Sequence, residues 1–84
     1  MNAYLVNAHL ADLGHRLALQ GPRAVESELS ELARIARQRG LAHTERAVMT
    51  DRAASRVVRE RAFGAVSAAM VNARRASPAL ARAS

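Results

Sequence analysis

The segment "LQGPR", residues 19–23, separates two stretches of the chain that repeat the same apolar spacing. Gly21 suits the left-handed residue that ends a helix, and Pro22 suits the first position of the next helix. We therefore expect a short turn here, with one helix on each side of it.

The stretch before this turn predicts an amphipathic helix over residues 3–19. Its apolar residues recur at alternating spacings of four and three, which places them on one side of an α-helix. These residues are Val6, Leu10, Leu13 and Leu17. They predict one half of a hydrophobic core.

The stretch after the turn predicts a second helix over residues 23–39, which Gly40 ends. Its glutamates come early and its arginines late, an order that complements the helix dipole. The apolar positions repeat the first spacing and are Val25, Leu29, Leu32 and Ala36. Two such helices joined by a short turn predict an antiparallel helical hairpin.

The remaining sequence predicts one long helix over residues 45–76 and a disordered tail over residues 77–84. Thr44 is a suitable N-cap for this helix. Thr50, followed by Asp51, is a second candidate cap, so residues 41–49 are left open as a separate short helix. The predicted fold class is all-α, with residues 1–76 forming a single domain of three helices.

The apolar residues of the long helix cover more of its circumference than the hairpin alone covers. Small residues such as Gly64, Ala65 and Ala68 allow another helix to approach closely. An 84-residue chain also buries little surface by itself. We therefore expect oligomerisation or a helical partner to complete the fold. The alternative is that these alanines are good helix formers on a solvent-exposed face. The expected apolar anchors are Met49, Val57, Phe63, Val66 and Met70.

Arginine is the source of all the positive charge, because the chain contains no lysine. The formal net charge is +6, and all of this excess falls within residues 46–84. In "DRAASRVVRERAF", residues 51–63, helical spacing places Arg52, Arg56 and Arg59 on one side. This arginine stripe predicts contact with an acidic protein surface or with nucleic-acid phosphates, and a solvated face is the alternative.

Sequence support for nucleic-acid binding is partial. Gly40 stands where a helix-turn-helix places its turn, but Arg39 and Arg46 occupy positions that should be apolar. Aromatic residues for base stacking are limited to Tyr4 and Phe63. Binding to the phosphate backbone needs only charge and stays open.

The sequence does not indicate an enzyme. The chain has no cysteine, its glycines are isolated, and no serine has a plausible partner base. His9, Asp12 and His15 lack the i,i+4 pair of a helical metal site. We therefore expect no catalytic residue, no cofactor and no metal.

The expected location is the cytoplasm. The N-terminal residues lack the basic and apolar regions of a signal peptide. The longest run without charge, residues 62–73, is well short of the roughly 20 residues that a membrane span needs. The abundance of alanine and arginine suggests a bacterium of high GC content, or a phage or plasmid within one.

These features together predict a small non-enzymatic protein that binds a protein partner or itself through its C-terminal helix. A regulator, an inhibitor or an assembly chaperone fits this description. The alternative is a basic DNA- or RNA-binding regulator that places the arginine stripe on phosphates. A purely structural oligomer is a third class.

Overall fold

The computed structural model describes the backbone of residues 3–83 and the side chains of residues 9–73. Within this part the chain forms four α-helices and one 3₁₀ turn, and it has no strand. The elements are α1 (Ala3–Gln20), the 3₁₀ turn (Pro22–Val25), α2 (Glu26–Gln38), α3 (His43–Met49) and α4 (Arg56–Ala83). The all-α class predicted from the sequence is confirmed.

The turn after α1 has the predicted chemistry. Gly21 adopts a φ of 87°, and its N–H donates to the carbonyl of Leu17 at 2.8 Å. Pro22 opens the 3₁₀ turn. Because these four residues are 3₁₀ rather than α-helical, α2 begins at Glu26, three residues later than the predicted start at residue 23.

Gly40 ends α2 as expected, with a φ of 68°. The Gly40 N–H donates to the carbonyl of Arg37 at 3.0 Å, and the Leu41 N–H donates to that of Ala36 at 2.9 Å. These two bonds are those of a Schellman motif, which satisfies carbonyls that the helix end leaves unpaired. The chain then turns directly into α3.

The two predicted apolar seams lie in one hydrophobic core. Burying one aliphatic side chain fully is worth roughly 1.5–3 kcal/mol before entropic costs. The buried apolar residues are Leu10, Leu13, Leu17, Val25, Leu29, Leu32, Ala36, Met49, Ala62, Phe63, Val66 and Met70. The side chain of Val6 lies outside the described residues.

The prediction of a single helix over residues 45–76 is wrong, because residues 50–55 divide that stretch into α3 and α4. The Thr50 hydroxyl donates to the carbonyl of Arg46 at 3.1 Å. The Asp51 carboxylate accepts the Ala53 N–H at 2.9 Å, which turns the backbone out of the helical path. The break lets α3 pack against α4 instead of continuing into it.

The helix α4 runs antiparallel to α1. At one end Arg56 reaches the backbone of Ala18, and further along α4 Phe63 packs against Gly14. The backbone of α4 continues as helix through residues 77–83, the segment for which the sequence predicts a tail. Ser84 lies outside the described residues.

Candidate functional site

Arg59 lies at the start of α4 and is buried, with 3% of its surface exposed. Its Nε donates to the carbonyl of Met49 at 3.0 Å, and its Nη2 donates to Glu26 Oε1. A charge removed from water needs such partners, because leaving it unpaired costs several kcal/mol. Arg59 therefore joins α4 to the start of α2 and the end of α3.

Arg52 and Arg56, the other two members of the arginine stripe, also have partners within the chain. Arg52 Nε lies 2.9 Å from Glu26 Oε2. Arg56 Nε donates to Glu60 Oε1 at 3.0 Å, and its Nη2 donates to the carbonyl of Ala18. The three arginines are therefore close together, but they do not form one stripe on a helix, because Arg52 lies in the segment before α4. Arg56 and Arg59 lie on the side of α4 that faces α1 and α2.

A cleft of about 340 Å³ separates the start of α4 from the turn after α1. It is lined by Gln20, Gly21, Pro22, Arg23, Arg52, Ala54, Arg56 and Arg59. We call it the arginine cleft, since four of these eight residues are arginines. Sequence reasoning missed the contribution of Arg23, for which the only local signal is its place beside the turn.

Four of the five predicted apolar anchors lie in the core of this chain. Met49, Phe63, Val66 and Met70 are all buried. Val57 differs, because 61% of its surface is exposed. The burial of Met49 follows from the helix break, which places it at the end of α3 against the other helices.

Other apolar side chains are exposed where α1 ends and α4 begins. Leu19 is 68% exposed, and Val58, beside Val57, is 43% exposed. These residues share one end of the molecule, because Arg56 bonds to the carbonyl of Ala18 there. The sequence pattern assigned no role to Leu19.

The side of α4 that faces away from the core carries mostly small or apolar residues, apart from Arg61 and Asn72. An added Cβ at Gly64 would meet no atom within 4 Å. We call this surface the outer face of α4. Its exposed residues are Val57, Val58, Arg61, Gly64, Ala65, Ala68 and Asn72.

An apolar groove of about 480 Å³ lies beside the outer face, between α1 and α4. Within it the Ser67 hydroxyl oxygen is buried and has no hydrogen-bond partner among the described side chains. The groove is lined by Leu10, Ala11, Gly14, Phe63, Ser67, Ala68, Val71 and Asn72. We call it the α1–α4 groove.

The turn between α2 and α3 is stabilised by Arg46. Its Nη1 donates to the carbonyl of Leu41 at 2.8 Å, and its Nη2 lies 3.0 Å from His43 Nδ1. Arg39 is exposed. The two arginines that depart from the helix-turn-helix pattern thus avoid the core, one by exposure and one by folding back onto the turn.

The acidic residues of α1 and α2 form ion pairs with arginines. Arg16 donates to Asp12 and to Glu28, each at 3.2 Å, and so links α1 to α2. A hydrogen bond from the Ser27 hydroxyl, followed by the charge of Arg16, lowers the pKa of Glu28 below its usual value.

Glu31, a second carboxylate of α2, pairs with an arginine of the same helix. A hydrogen bond from Arg34, together with the charge of that guanidinium, lowers the pKa of Glu31, and the same pair raises the pKa of Arg34. Both glutamates therefore stay ionised near neutral pH.

No metal-binding cluster is found within the described part of the chain. His9, Asp12 and His15 do not lie close enough together to hold a metal ion, and no other set of three His, Asp or Glu residues among the described residues does. His9 instead lies in an open groove beside Glu28 and Glu31.

No family model, curated protein or solved structure matches this chain. Among the helices that the structure describes, none is both long and apolar enough to cross a membrane.

Proposed function

We propose that this chain is a non-enzymatic interaction protein that binds a second copy of itself through the outer face of α4. The observation that carries the proposal is the composition of that face. Gly64, Ala65 and Ala68 are exposed and small, and the α1–α4 groove beside them is almost wholly apolar. Such a surface lets a second helix approach closely and bury apolar area.

A symmetric pairing suits the arrangement of charge on this face. In an antiparallel pair of α4 helices, Ala65 of one copy would lie opposite Ala68 of the other. The same register would place Arg61 opposite Asn72, whose side-chain oxygen accepts hydrogen bonds. Arg61 is exposed and has no ion pair within the described residues. Two identical faces in contact form a closed dimer.

A small chain gains stability from such an association. An 84-residue chain buries a modest fraction of its surface alone, and dimerisation adds to that fraction. Val57, Val58 and Leu19 would extend the buried area at one end of the contact. The dimer would then act as a regulator, an inhibitor or an assembly chaperone for a further partner, and the cytoplasm is the proposed location.

The nucleic-acid alternative has less support than self-association. Arg59 is buried, and Arg52 and Arg56 make ion pairs with Glu26 and Glu60. A duplex would need the three guanidiniums on one open surface, and Arg59 is not available there because only 3% of its surface is exposed.

The test is the mass of the full chain in solution, measured by sedimentation or light scattering across a concentration series. We expect twice the 9.0 kDa chain mass at high concentration. Ala65→Glu and Ala68→Glu should shift the chain to monomer, because each buries a charge in the contact. Ala47→Glu, at an exposed position on α3, is the matched control and should leave the mass unchanged.

Circular dichroism of each variant verifies that the helices remain folded. A wild-type chain that stays monomeric at every concentration would overturn the proposal. Equal loss of association in Ala47→Glu would also overturn it, since the effect would then be one of net charge.

A further inference from the structure

We infer that the arginine cleft binds a phosphate group carried by a small molecule. This inference is independent of the proposed self-association, because the cleft lies on the side of α4 that faces α1 and α2. Four arginines line one cavity of about 340 Å³ there: Arg23, Arg52, Arg56 and Arg59. A phosphate group offers several acceptor oxygens, and guanidinium groups match its geometry closely.

Positive charge remains in the cleft after the internal ion pairs are counted. Glu26 pairs with Arg52 and Arg59, and Glu60 pairs with Arg56. Two carboxylates therefore face four guanidiniums. Asp51 belongs to the adjacent loop but does not line the cleft. The excess charge favours an anionic ligand.

Hydrogen-bond donors also remain for such a ligand. A guanidinium carries five N–H groups, and each of the paired arginines uses only some of them. Arg52 pairs through Nε, and Arg59 uses Nε and Nη2. Arg56 uses Nε and Nη2, while its Nη1 lies 3.6 Å from the position that a Cβ would take at Gly21.

Arg23 contributes the fourth guanidinium. It is exposed and has no ion pair among the described side chains. Its five donors are therefore available at the edge of the cleft.

The buried position of Arg59 makes the cleft a prepared site. Its guanidinium is held by Met49 and Glu26 in one orientation, so a ligand would not have to order it. Arg23 would close over the ligand from the opposite wall. Gly21 brings the backbone of that wall close to Arg56, because a Cβ added there would lie 3.6 Å from Arg56 Nη1, in van der Waals contact.

The test is isothermal titration calorimetry of the full chain with inorganic phosphate, at an ionic strength held constant with sodium chloride. Glycerol phosphate and a short DNA duplex form the second and third arms. We expect saturable binding of inorganic phosphate and of glycerol phosphate. Arg23→Gln should weaken both about tenfold, since it removes a charge-assisted contact without disturbing an internal ion pair.

Arg37→Gln is the matched control. Arg37 is exposed on α2, outside the arginine cleft, and its loss should leave phosphate binding unchanged. Absence of binding by both small phosphates would overturn the inference, as would equal weakening in Arg37→Gln. Binding of duplex alone, weakened by Arg23→Gln, would overturn it in favour of nucleic acid. None of these results depends on whether the chain dimerises.

Discussion

Arg59 and Glu26 determine how α4 attaches to the rest of the molecule. Arg59 is almost fully buried, whereas Glu26 is part-buried and also pairs with Arg52. A buried pair of this kind adds little stability relative to a well-packed apolar pair, but breaking it leaves a buried charge unpaired. The pair therefore specifies where α4 packs more than it strengthens the packing.

We expect Glu26→Gln to lower the free energy of unfolding by about 3 kcal/mol, because Arg59 would lose its counterion. Urea denaturation measures this change. Adding Arg59→Met to Glu26→Gln should recover part of the loss, since the buried charge is then removed. The control is Asp12→Asn, which weakens an exposed pair with Arg16 and should cost at most about 1 kcal/mol. A similar cost in both carboxylate variants would contradict the assignment.

The sequence pattern predicts that the arginines lie near one another better than it predicts which groups they contact. Helical spacing places Arg56 and Arg59 correctly on one side of α4, but Arg52 lies in the segment before that helix. The burial of Arg59 depends on Glu26, whose position the sequence explains equally well by the helix dipole. No local signal distinguishes an arginine that meets a counterion across the fold from one that faces solvent.

At the scale of elements, the break between α3 and α4 decides which residues are core. In one continuous helix, Met49 and Val57 would have lain within about 80° of each other around its axis. The break instead buries Met49 and exposes Val57. The responsible signal is present in the sequence as Thr50, Asp51 and Ser55, but Thr44 is an equally suitable cap, and it lies at the start of the helix before this break.

Ser55 is the residue that starts α4. Its hydroxyl accepts the Val58 N–H at 3.3 Å, and its carbonyl accepts the Arg59 N–H at 2.9 Å. This is the N-cap arrangement, in which a side-chain oxygen satisfies one of the unpaired donors of the first turn.

We expect Ser55→Ala to lower the free energy of unfolding by about 1 kcal/mol and Ser55→Asp to preserve it. Thermal and urea unfolding followed by circular dichroism measure both. Ser30→Ala, at an exposed position within α2, is the control and should change stability little. An unchanged stability in Ser55→Ala would mean that residues 50–55 do not depend on this cap.

At the scale of the whole molecule, the ion pairs of α1 and α2 make stability depend on pH. Glu28 and Glu31 have lowered pKa values in the folded chain. A lowered folded pKa stabilises the protein fully above the unfolded pKa, which is about 4.3 for glutamate. That stabilisation is lost as the pH falls through the lower, folded pKa.

We therefore expect the urea midpoint of unfolding to decrease as the pH is lowered from 7 to 3. Glu28→Gln should show a smaller decrease over the same range, because it lacks one of the groups that take up a proton on unfolding. The Arg16 and Ser27 contacts with Glu28 are the physical cause. A midpoint that rises toward acid pH, or an equal decrease in Glu28→Gln, would contradict this account.

The sequence by itself determined the helical class, the turn at Gly21 and Pro22, the end of α2 at Gly40 and the apolar seams of α1 and α2. Each of these depends on residues close together in the chain, so local periodicity and backbone preference suffice. Only the tertiary structure decided that Arg59 is buried against Glu26, that Arg23 joins the arginine cleft and that Gly64, Ala65 and Ala68 face outward. These features depend on which elements meet, and α4 meets α1 and α2 only because residues 50–55 end α3 and turn the chain.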